Sequence, residues 1–158
     1  MSKDQNQHPG STLEVYTVGE IGERPWGTYE VIALGTDKAG QEFCEKTITL
    51  QPKQILSLQS HQYRTETWTV IEGTLDVIIN EDHHTLRAGE KITIPYHAFH
   101  CMANLDADHI CIVHERQMGV CREEDIRRYA DHYGREPRVE TDDVKKSLAL
   151  YDRIRQKL

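Results

Sequence analysis

Four side chains able to bind a metal ion or an anion lie within eight residues near the middle of the chain. They are Gln59, His61, Arg64 and Glu66, in the stretch SLQSHQYRTETW that covers residues 57–68. An amide oxygen, an imidazole and a carboxylate can all bind divalent transition metals, and a guanidinium binds oxyanions. The neighbouring residues favour β-strands, so the directions of these side chains decide whether they form one site.

Alternation along a strand determines which of these side chains share a face. Gln59 and His61 lie two positions apart and therefore point to the same side of a strand. Glu66 follows His61 at an odd separation, so it can join them only if the chain bends in the few residues between. From Glu66 the same face continues through Trp68 and Val70, which indicates an interior position. A carboxylate there is costly unless it is paired or binds a metal.

A second polar cluster lies in GEKITIPYHAFHCMAN, residues 89–104. We expect a strand to end at Pro95 and another to begin near His100. His97 falls in the intervening turn, and histidine tolerates positive φ better than most residues, so His100 is the better ligand. Together the two clusters predict a mixed nitrogen and oxygen site for one divalent metal, the alternative being unrelated surface and core residues. The predicted ligands are Gln59, His61, Glu66 and His100.

The elements that must position these side chains are short strands. Six segments between residues 13 and 116 are rich in β-branched and aromatic residues and mostly alternate. They are YEVIAL (29–34), EFCEKTITL (42–50), TWTVIEG (67–73), TLDVIIN (74–80), EKITIP (90–95) and HICIVHE (109–115). Turns containing Gly, Pro, Asn and Asp separate them, as expected for an all-β sandwich or small barrel. In this reading the pair His83-His84 lies in a solvated loop.

The last quarter of the chain changes to a helical period. REEDIRRYADHYG, residues 122–134, has acids in its first turn and a glycine at its end, which predicts a short helix. A second helix is predicted over 142–157, with Thr141 as its N-cap. Its apolar residues recur at helical spacing and should pack against the sheet or a second subunit. They are Val144, Leu148, Tyr151 and Ile154.

The composition is typical of a single globular domain. The chain has 158 residues, of which 28% are charged and 37% hydrophobic. Its net charge of −7 gives no general attraction for nucleic acid or anionic membranes, so an anionic ligand needs a local basic site. There is no apolar run of transmembrane length, no secretory signal and no Cys-x-x-Cys pair among the four cysteines. We therefore expect a cytoplasmic protein that binds neither nucleic acid nor membranes.

Several motifs resemble those of a known family. Glu66 followed seven residues later by Gly73, and then GEKITIPYHAFHCMAN, resembles the two cupin motifs; a cupin is a small jelly-roll β-barrel. More narrowly, the chain resembles the isomerase domain of type II mannose-6-phosphate isomerases, which is usually fused to a mannose-1-phosphate guanylyltransferase. The matching stretches include RPWG at 24–27, Lys46, SLQ with His61, Arg64, Glu66 and Trp68, Ile94-Pro95, His100, Asn104, HERQ at 114–117, EEDI at 123–126 and DHYGR at 131–135.

The resemblance implies a fold, an activity and a ligand set. The fold is an all-β cupin jelly-roll barrel, to which the helical period adds short C-terminal helices. With the polar N-terminal residues read as a disordered tail over 1–12, the cupin domain covers 13–135 and a helical extension covers 136–158. The activity is metal-dependent interconversion of mannose 6-phosphate and fructose 6-phosphate, so the partner is a small sugar phosphate. The implied metal ligands match those predicted above. Zinc comes first by ligand type and affinity, while manganese, iron, cobalt and nickel also tolerate this set.

Three further residues are candidates for catalysis or substrate binding. Arg64 is expected to bind phosphate or to stabilise developing negative charge, since its fork can be bidentate; the alternative is a surface ion pair. Lys46 shares a strand face with Ile48 and Leu50 and should point inward, where it would serve proton transfer or substrate binding; the alternative is an edge-strand lysine lying on apolar surface. Tyr63 is expected to bind substrate near the metal or to lie on the rim.

The sequence also departs from the family pattern. The family usually reads His-x-His-Arg-x-Glu-His-Trp, and two of those histidines are Tyr63 and Thr67 in this chain. These replacements favour a second hypothesis, a non-catalytic cupin that binds a sugar or sugar phosphate. A third hypothesis is a metal-cupin enzyme with another substrate, such as an iron oxygenase. A homodimer is expected, because open sheet edges and an amphipathic tail need cover.

Overall fold

The computed structural model describes residues 16–122 and 125–158. Within them the chain forms twelve β-strands followed by one α-helix. The strands are β1 (Ile21–Arg24), β2 (Gly27–Thr36), β3 (Glu42–Leu50), β4 (Gln54–Ile55), β5 (Leu58–His61), β6 (Arg64–Glu72), β7 (Thr74–Ile79), β8 (Asp82–Arg87), β9 (Lys91–Ile94), β10 (His100–Asn104), β11 (Cys111–Gly119) and β12 (Ile126–Ala130), and the helix is α1 (Lys145–Arg155). The predicted all-β class is confirmed. The tail expected over 1–12 lies outside the described residues.

The strands form two antiparallel sheets. The first sheet has the order β1-β2-β3-β11-β6-β9. The second has the order β12-β5-β10-β7-β8, and β4 pairs with β10 beside it. Alternation along β3, β6 and β11 buries every second residue. Because one face of each of these strands must avoid water, it turns toward the other sheet.

The main core lies between the two sheets. It contains Leu50, Trp68 and Val113 from the first sheet and Val77 and Met102 from the second, all of them buried. The buried ligand candidates His61, Glu66 and His100 lie in the same interior as this apolar core.

The helix covers the outer face of the second sheet. Its stripe packs beside Leu58 in a separate apolar cluster, so the prediction of packing against the sheet is confirmed. The buried residues of the stripe are Val144, Leu148, Tyr151 and Ile154. The predicted cap is wrong in detail. The N-cap residue is Val144, without a side-chain hydrogen bond, while the Thr141 hydroxyl bonds to Asp143.

The first predicted C-terminal helix is wrong, because residues 126–130 form strand β12. This strand pairs with β5, and its register shifts between Arg128 and Ala130. The irregularity leaves both Tyr129 and Ala130 buried, three and four residues after Ile126. Apolar residues at this spacing are typical of a helix, but pairing with β5 makes the segment a strand.

The histidine pair at 83–84 also differs from its prediction. Both residues belong to strand β8 rather than to a loop. Both are exposed, as predicted, and His83 Nε2 lies 2.8 Å from the Asp76 carboxylate. No helix in the described part of the chain is long and apolar enough to cross a membrane. The homodimer stays a prediction.

Candidate metal centre

A two-residue turn carries the chain from one sheet to the other at the predicted site. Strand β5 of the second sheet ends at His61, and β6 of the first sheet begins at Arg64. The bend that the alternation required is therefore present. The Asp125 carboxylate accepts the backbone N–H groups of Gln62 and Tyr63 at 3.1 and 3.0 Å, which fixes this turn.

A glycine allows β11 to approach the same turn. Gly119 has a φ of +115°, and a Cβ atom at this position would lie 2.2 Å from the Tyr63 carbonyl oxygen. A side chain there would clash with backbone, so the close contact requires glycine.

The second cluster reaches the site through strand β10. Its first residue, His100, lies opposite Gln59 in β5. His97 has a φ of +65°, as expected for its turn, and its backbone N–H donates to the His61 carbonyl at 2.9 Å. The two predicted clusters are therefore joined by backbone hydrogen bonds as well as by their side chains.

Three of the predicted ligands converge in the interior. The Nε2 atom of His61 lies 3.0 Å from Glu66 Oε1 and 3.1 Å from His100 Nε2. His100 Nε2 lies 4.0 Å from Glu66 Oε2. All three side chains are buried, with at most 3% of each residue exposed. Two nitrogens bound to one zinc ion at ~2.0–2.1 Å would lie ~3–3.5 Å apart, so these separations suit a shared ion.

The hydrogen bonds of the two imidazoles also fit a metal. His100 Nδ1 lies 2.8 Å from the Ala98 carbonyl, and His61 Nδ1 lies 3.4 Å from the Asp125 carbonyl. A carbonyl only accepts, so Nδ1 carries a proton in both rings, and the Nε2 of each ring presents a lone pair whenever that ring is neutral. Burial and the neighbouring His61 lower the pKa of His100 to about 4, which keeps it neutral at pH 7. Two lone pairs and a carboxylate meeting in the interior form a donor set for a cation.

The Glu66 carboxylate is ionised despite its burial. Burial alone would raise the pKa of Glu66, but His61 and Arg64 hold it well below its usual range. Arg64 Nε donates to Oε1 at 3.0 Å, and the Trp68 indole N–H donates to Oε2 at 2.9 Å. The group therefore remains a charged acceptor in an apolar interior.

Arg64 lies against the metal ligands, and its binding of phosphate remains a prediction. Its guanidinium is 3% exposed and contacts Glu66, His61 and the Arg122 carbonyl. It belongs to the side chains that orient the metal ligands, because its nitrogens already face the carboxylate, the imidazole and the carbonyl. The surface ion pair considered as its alternative is also wrong, since the pair with Glu66 is buried.

A cavity opens beside this cluster and contains two other predicted residues. Its volume is about 540 Å³, counted to its opening. Gln59 and Lys46 line it together with Arg64 and Glu66. Lys46 points inward as expected and is 5% exposed, with its Nζ 3.6 Å from the centre of the Tyr16 ring. Gln59 as the fourth metal ligand remains a prediction.

The two residues that depart from the family pattern lie away from this cavity. Tyr63 is 38% exposed and lines a separate surface depression, together with His61 of the metal cluster and His97. Its role in substrate binding remains a prediction. Thr67 bonds to Thr93 on the exposed side of β6.

Sequence reasoning gave no role to several residues of the cavity. Glu115 and Gln117 lie on the inward face of β11 and line the cavity, and both are buried. Burial and the charge of Glu66 raise the pKa of Glu115 to about 8. In the sequence, HERQ indicated only a resemblance to the isomerase family. Alternation along HICIVHERQ, however, would have placed Glu115 and Gln117 on the same strand face as Val113.

A comparison with protein families identifies the chain. The family model described as Mannose-6-phosphate isomerase C-terminal matches residues 13–131. The chain belongs to this family. The resemblance inferred from the sequence motifs is thus confirmed at the level of the family.

Relatives of this isomerase-family chain are longer proteins. Mannose-1-phosphate guanylyltransferase of Escherichia coli (strain K12) is 38% identical over 112 residues, which cover 71% of this chain and 22% of the relative. Alginate biosynthesis protein AlgA of Pseudomonas putida is 34% identical over 123 residues, covering 78% and 23%. The chain therefore spans less than a quarter of the length of these relatives.

Solved structures show the same fold. A cupin-2 domain protein from Rhodospirillum rubrum has a TM-score of 0.53 at 15% identity, covering 81% of this chain and 79% of that one. At such low identity the likeness concerns the fold alone, and it confirms the predicted cupin jelly roll.

We predict that Glu66→Gln and His100→Ala each lower the affinity for zinc by more than ~100-fold. Glu66→Gln replaces a charged carboxylate donor with a neutral amide, and His100→Ala removes a donor nitrogen. Both are larger changes than the loss of an outer partner, which typically costs ~10–100-fold. Metal content after dialysis against limiting zinc measures the effect. His114→Ala is the matched control, because His114 belongs to β11 but lies outside the cluster. Full zinc content in both cluster variants would contradict the assignment.

Proposed function

We propose that the protein is a metal-dependent aldose–ketose isomerase that interconverts mannose 6-phosphate and fructose 6-phosphate. The observation that carries this proposal is the convergence of His61, Glu66 and His100 beside a cavity in a chain of this isomerase family.

The donor set suits a divalent metal, and we propose zinc. His61, Glu66 and His100 would hold the ion, with Gln59 as the fourth ligand. Two imidazoles with oxygen donors suit zinc, and also manganese, iron, cobalt or nickel. When bound, the ion supplies Lewis acidity that polarises the carbonyl and hydroxyl oxygens of the sugar.

Lys46 provides a further positive charge in the wall of the cavity. Its ammonium lies over Tyr16 at 3.6 Å and Tyr29 at 4.9 Å from the ring centres. Cation–π contacts fix the ammonium without neutralising its charge. It can therefore donate hydrogen bonds to a sugar oxygen as negative charge develops there.

Arginines at the cavity support a phosphorylated substrate. Arg24, Arg128 and Arg135 line it, in a protein whose net charge is −7. Arg128 donates to the Glu136 carboxylate at 2.9 Å, while its buried Nε finds no acceptor within residues 16–122 and 125–158. A phosphate at this position would gain charge-assisted hydrogen bonds from the guanidinium groups. These arginines take over the phosphate role that the sequence suggested for Arg64.

The structure weakens the main argument for a non-catalytic binding protein. That hypothesis depended on Tyr63 and Thr67, and both lie outside the cavity. The guanylyltransferase named in relatives is a poor fit for this chain, since its sequence contains no Gly-rich phosphate loop. Catalysis of isomerisation is therefore the better proposal.

We also propose a cytoplasmic location. The four cysteines, at positions 44, 101, 111 and 121, are buried free thiols. Free thiols persist in the reducing cytosol, where the phosphorylated hexoses of central metabolism also occur.

The first functional prediction concerns turnover. With zinc bound, the protein should convert mannose 6-phosphate into fructose 6-phosphate, and a chelator should abolish the reaction until divalent metal is restored. A coupled assay for fructose 6-phosphate measures this. The Glu66→Gln variant is the control for contaminating isomerase, because it should be inactive at every zinc concentration used. Binding of mannose 6-phosphate without turnover by the metal-loaded protein would support the non-catalytic alternative instead.

The second functional prediction concerns the phosphate. Arg128→Gln should weaken binding of mannose 6-phosphate by about 10-fold or more, since a hydrogen bond to a charged group contributes ~1.5–3 kcal/mol. Binding of unphosphorylated mannose should change little. Calorimetric titration with both sugars measures the difference. Arg116→Gln is the control, because Arg116 pairs with Glu45 away from the cavity. Equal losses for both sugars would remove Arg128 from the phosphate site.

A further inference from the structure

Aldose–ketose isomerisation needs a group that removes a proton from one carbon and returns it to the next. Among the described residues that line the cavity, two are acids, Glu66 and Glu115. Glu66 faces the two histidines, Arg64 and Trp68, which together surround its oxygens. The oxygens of Glu115 accept hydrogen bonds from Trp68 and Gln117 and lie outside the His61–Glu66–His100 cluster, so its carboxyl group is the better candidate for a proton carrier.

We propose that the Glu115 carboxyl carries the proton between the two reacting carbons of the bound sugar phosphate. The inference rests on the isomerase function proposed above and names the residue that this function requires.

The position of Glu115 is fixed by neighbours on both sides. It lies in β11, opposite Lys46 in β3 and Trp68 in β6. Its Oε1 accepts the Gln117 side-chain amide N–H at 2.7 Å, and its Oε2 accepts the Trp68 indole N–H at 3.2 Å. Each oxygen has a second acceptor site, so the group is held in place without being saturated.

The same indole connects Glu115 to the metal cluster. Trp68 Nε1 lies 2.9 Å from Glu66 Oε2 and 3.2 Å from Glu115 Oε2. A single N–H thus holds both carboxyl groups at a fixed separation. A sugar bound at the cluster would present its reacting carbons next to Glu115, because the two acids share one donor.

The environment of Glu115 favours proton exchange near neutral pH. Burial and the charge of Glu66 raise the pKa of Glu115 to about 8, while Lys46 and Arg64 act in the opposite direction. A carrier works best when its pKa lies near the working pH, because it must both accept and release the proton.

Gln117 provides a buried hydrogen-bond acceptor on the same cavity wall. Its Oε1 is buried and has no hydrogen-bond donor within the described part of the chain. The Gln117 side chain lines the cavity next to Glu115. An unpaired buried acceptor is costly, and a sugar hydroxyl would satisfy it. Gln117 can therefore orient the substrate while its amide N–H holds Glu115.

The proposed step conserves protons and electrons. The Glu115 carboxylate takes the proton from C2 of the open-chain aldose, and the electron pair of that bond forms the C1–C2 double bond of an enediolate as the carbonyl electrons move to O1. The Glu115 carboxylic acid then returns the proton to C1, while the hydroxyl proton on O2 passes to O1. C2 becomes the ketone, and the carboxylate is regenerated with no other reactant.

The test compares Glu115→Gln with the wild type, both loaded with zinc, on mannose 6-phosphate in D2O. Conversion and deuterium incorporation at C2 are followed by NMR. We expect both rates to fall by about 10²–10⁴-fold in the variant, the usual contribution of a positioned acid or base. Zinc content and affinity for mannose 6-phosphate should stay within about 3-fold. Glu72→Gln, at an exposed position of β6, is the control and should match the wild type.

Two outcomes overturn the inference in different ways. If the wild type isomerises and Glu115→Gln keeps its exchange rate, Glu115 is not the carrier although the proposed function stands. If the wild type neither isomerises nor exchanges, the proposed function fails and the inference fails with it. Should Glu115→Gln not fold, Glu115→Asp replaces it; retracting the carboxyl by one methylene should slow exchange at least 10-fold with zinc retained, and an unchanged rate overturns the inference.

Stability of the chelated protein gives a readout that does not depend on activity. A carboxyl group with a pKa raised from 4.5 to about 8 stabilises the fold below pH 4.5, and this contribution is lost as the pH rises toward 8. The Glu115→Gln variant has no carboxyl group here and does not lose this stabilisation. Its free energy of unfolding in urea, compared with that of the wild type, should therefore increase between pH 4.5 and 8. A constant difference over this range would show that Glu115 ionises as in the unfolded chain and would overturn its role as carrier near neutral pH.

Discussion

The buried charge of Glu66 is the constraint on which the site depends. An isolated carboxylate in an apolar interior would be neutralised by a proton, because burial favours the uncharged form. Here Arg64, Trp68 and His61 surround both oxygens within 3.0 Å. The group therefore stays ionised and can share a cation with the histidines. Arg64 is then best understood as a residue that orients a ligand.

The jelly-roll fold meets this constraint by bringing two sheets together. His61 and His100 come from the second sheet, whereas Glu66 comes from the first. The turn at 62–63 connects them, and Asp125 fixes that turn through two backbone N–H groups. The first sheet also supplies Lys46 and Glu115 on adjacent strands. The ammonium of Lys46 and the carboxyl groups of Glu66 and Glu115 thus line one cavity, with His61 and His100 in contact with Glu66.

Local sequence patterns predicted the parts of the fold in which one strand face is buried. EFCEKTITL matches β3 residue for residue, and alternation correctly required a bend before Glu66. Patterns failed where tertiary pairing overrides local spacing. Ile126, Tyr129 and Ala130 stand at a helical spacing along the chain, but the segment is the irregularly paired strand β12. The exposed edge strand β8 has no apolar alternation by which its sequence could be recognised as a strand. Likewise, the role proposed for Glu115 required knowledge of its neighbours, because its pKa is raised by burial and by the charge of Glu66 on the adjacent strand.

The central claim is that His61, Glu66 and His100 bind one ion inside the barrel. X-ray absorption spectroscopy at the zinc edge of the stoichiometrically loaded protein tests it most directly. The account predicts one site with two imidazole nitrogens and at least one oxygen at ~2.0–2.2 Å, with the imidazole scattering reduced in His100→Ala. A sulfur shell at ~2.3 Å, or a spectrum that His100→Ala leaves unchanged, would contradict the account.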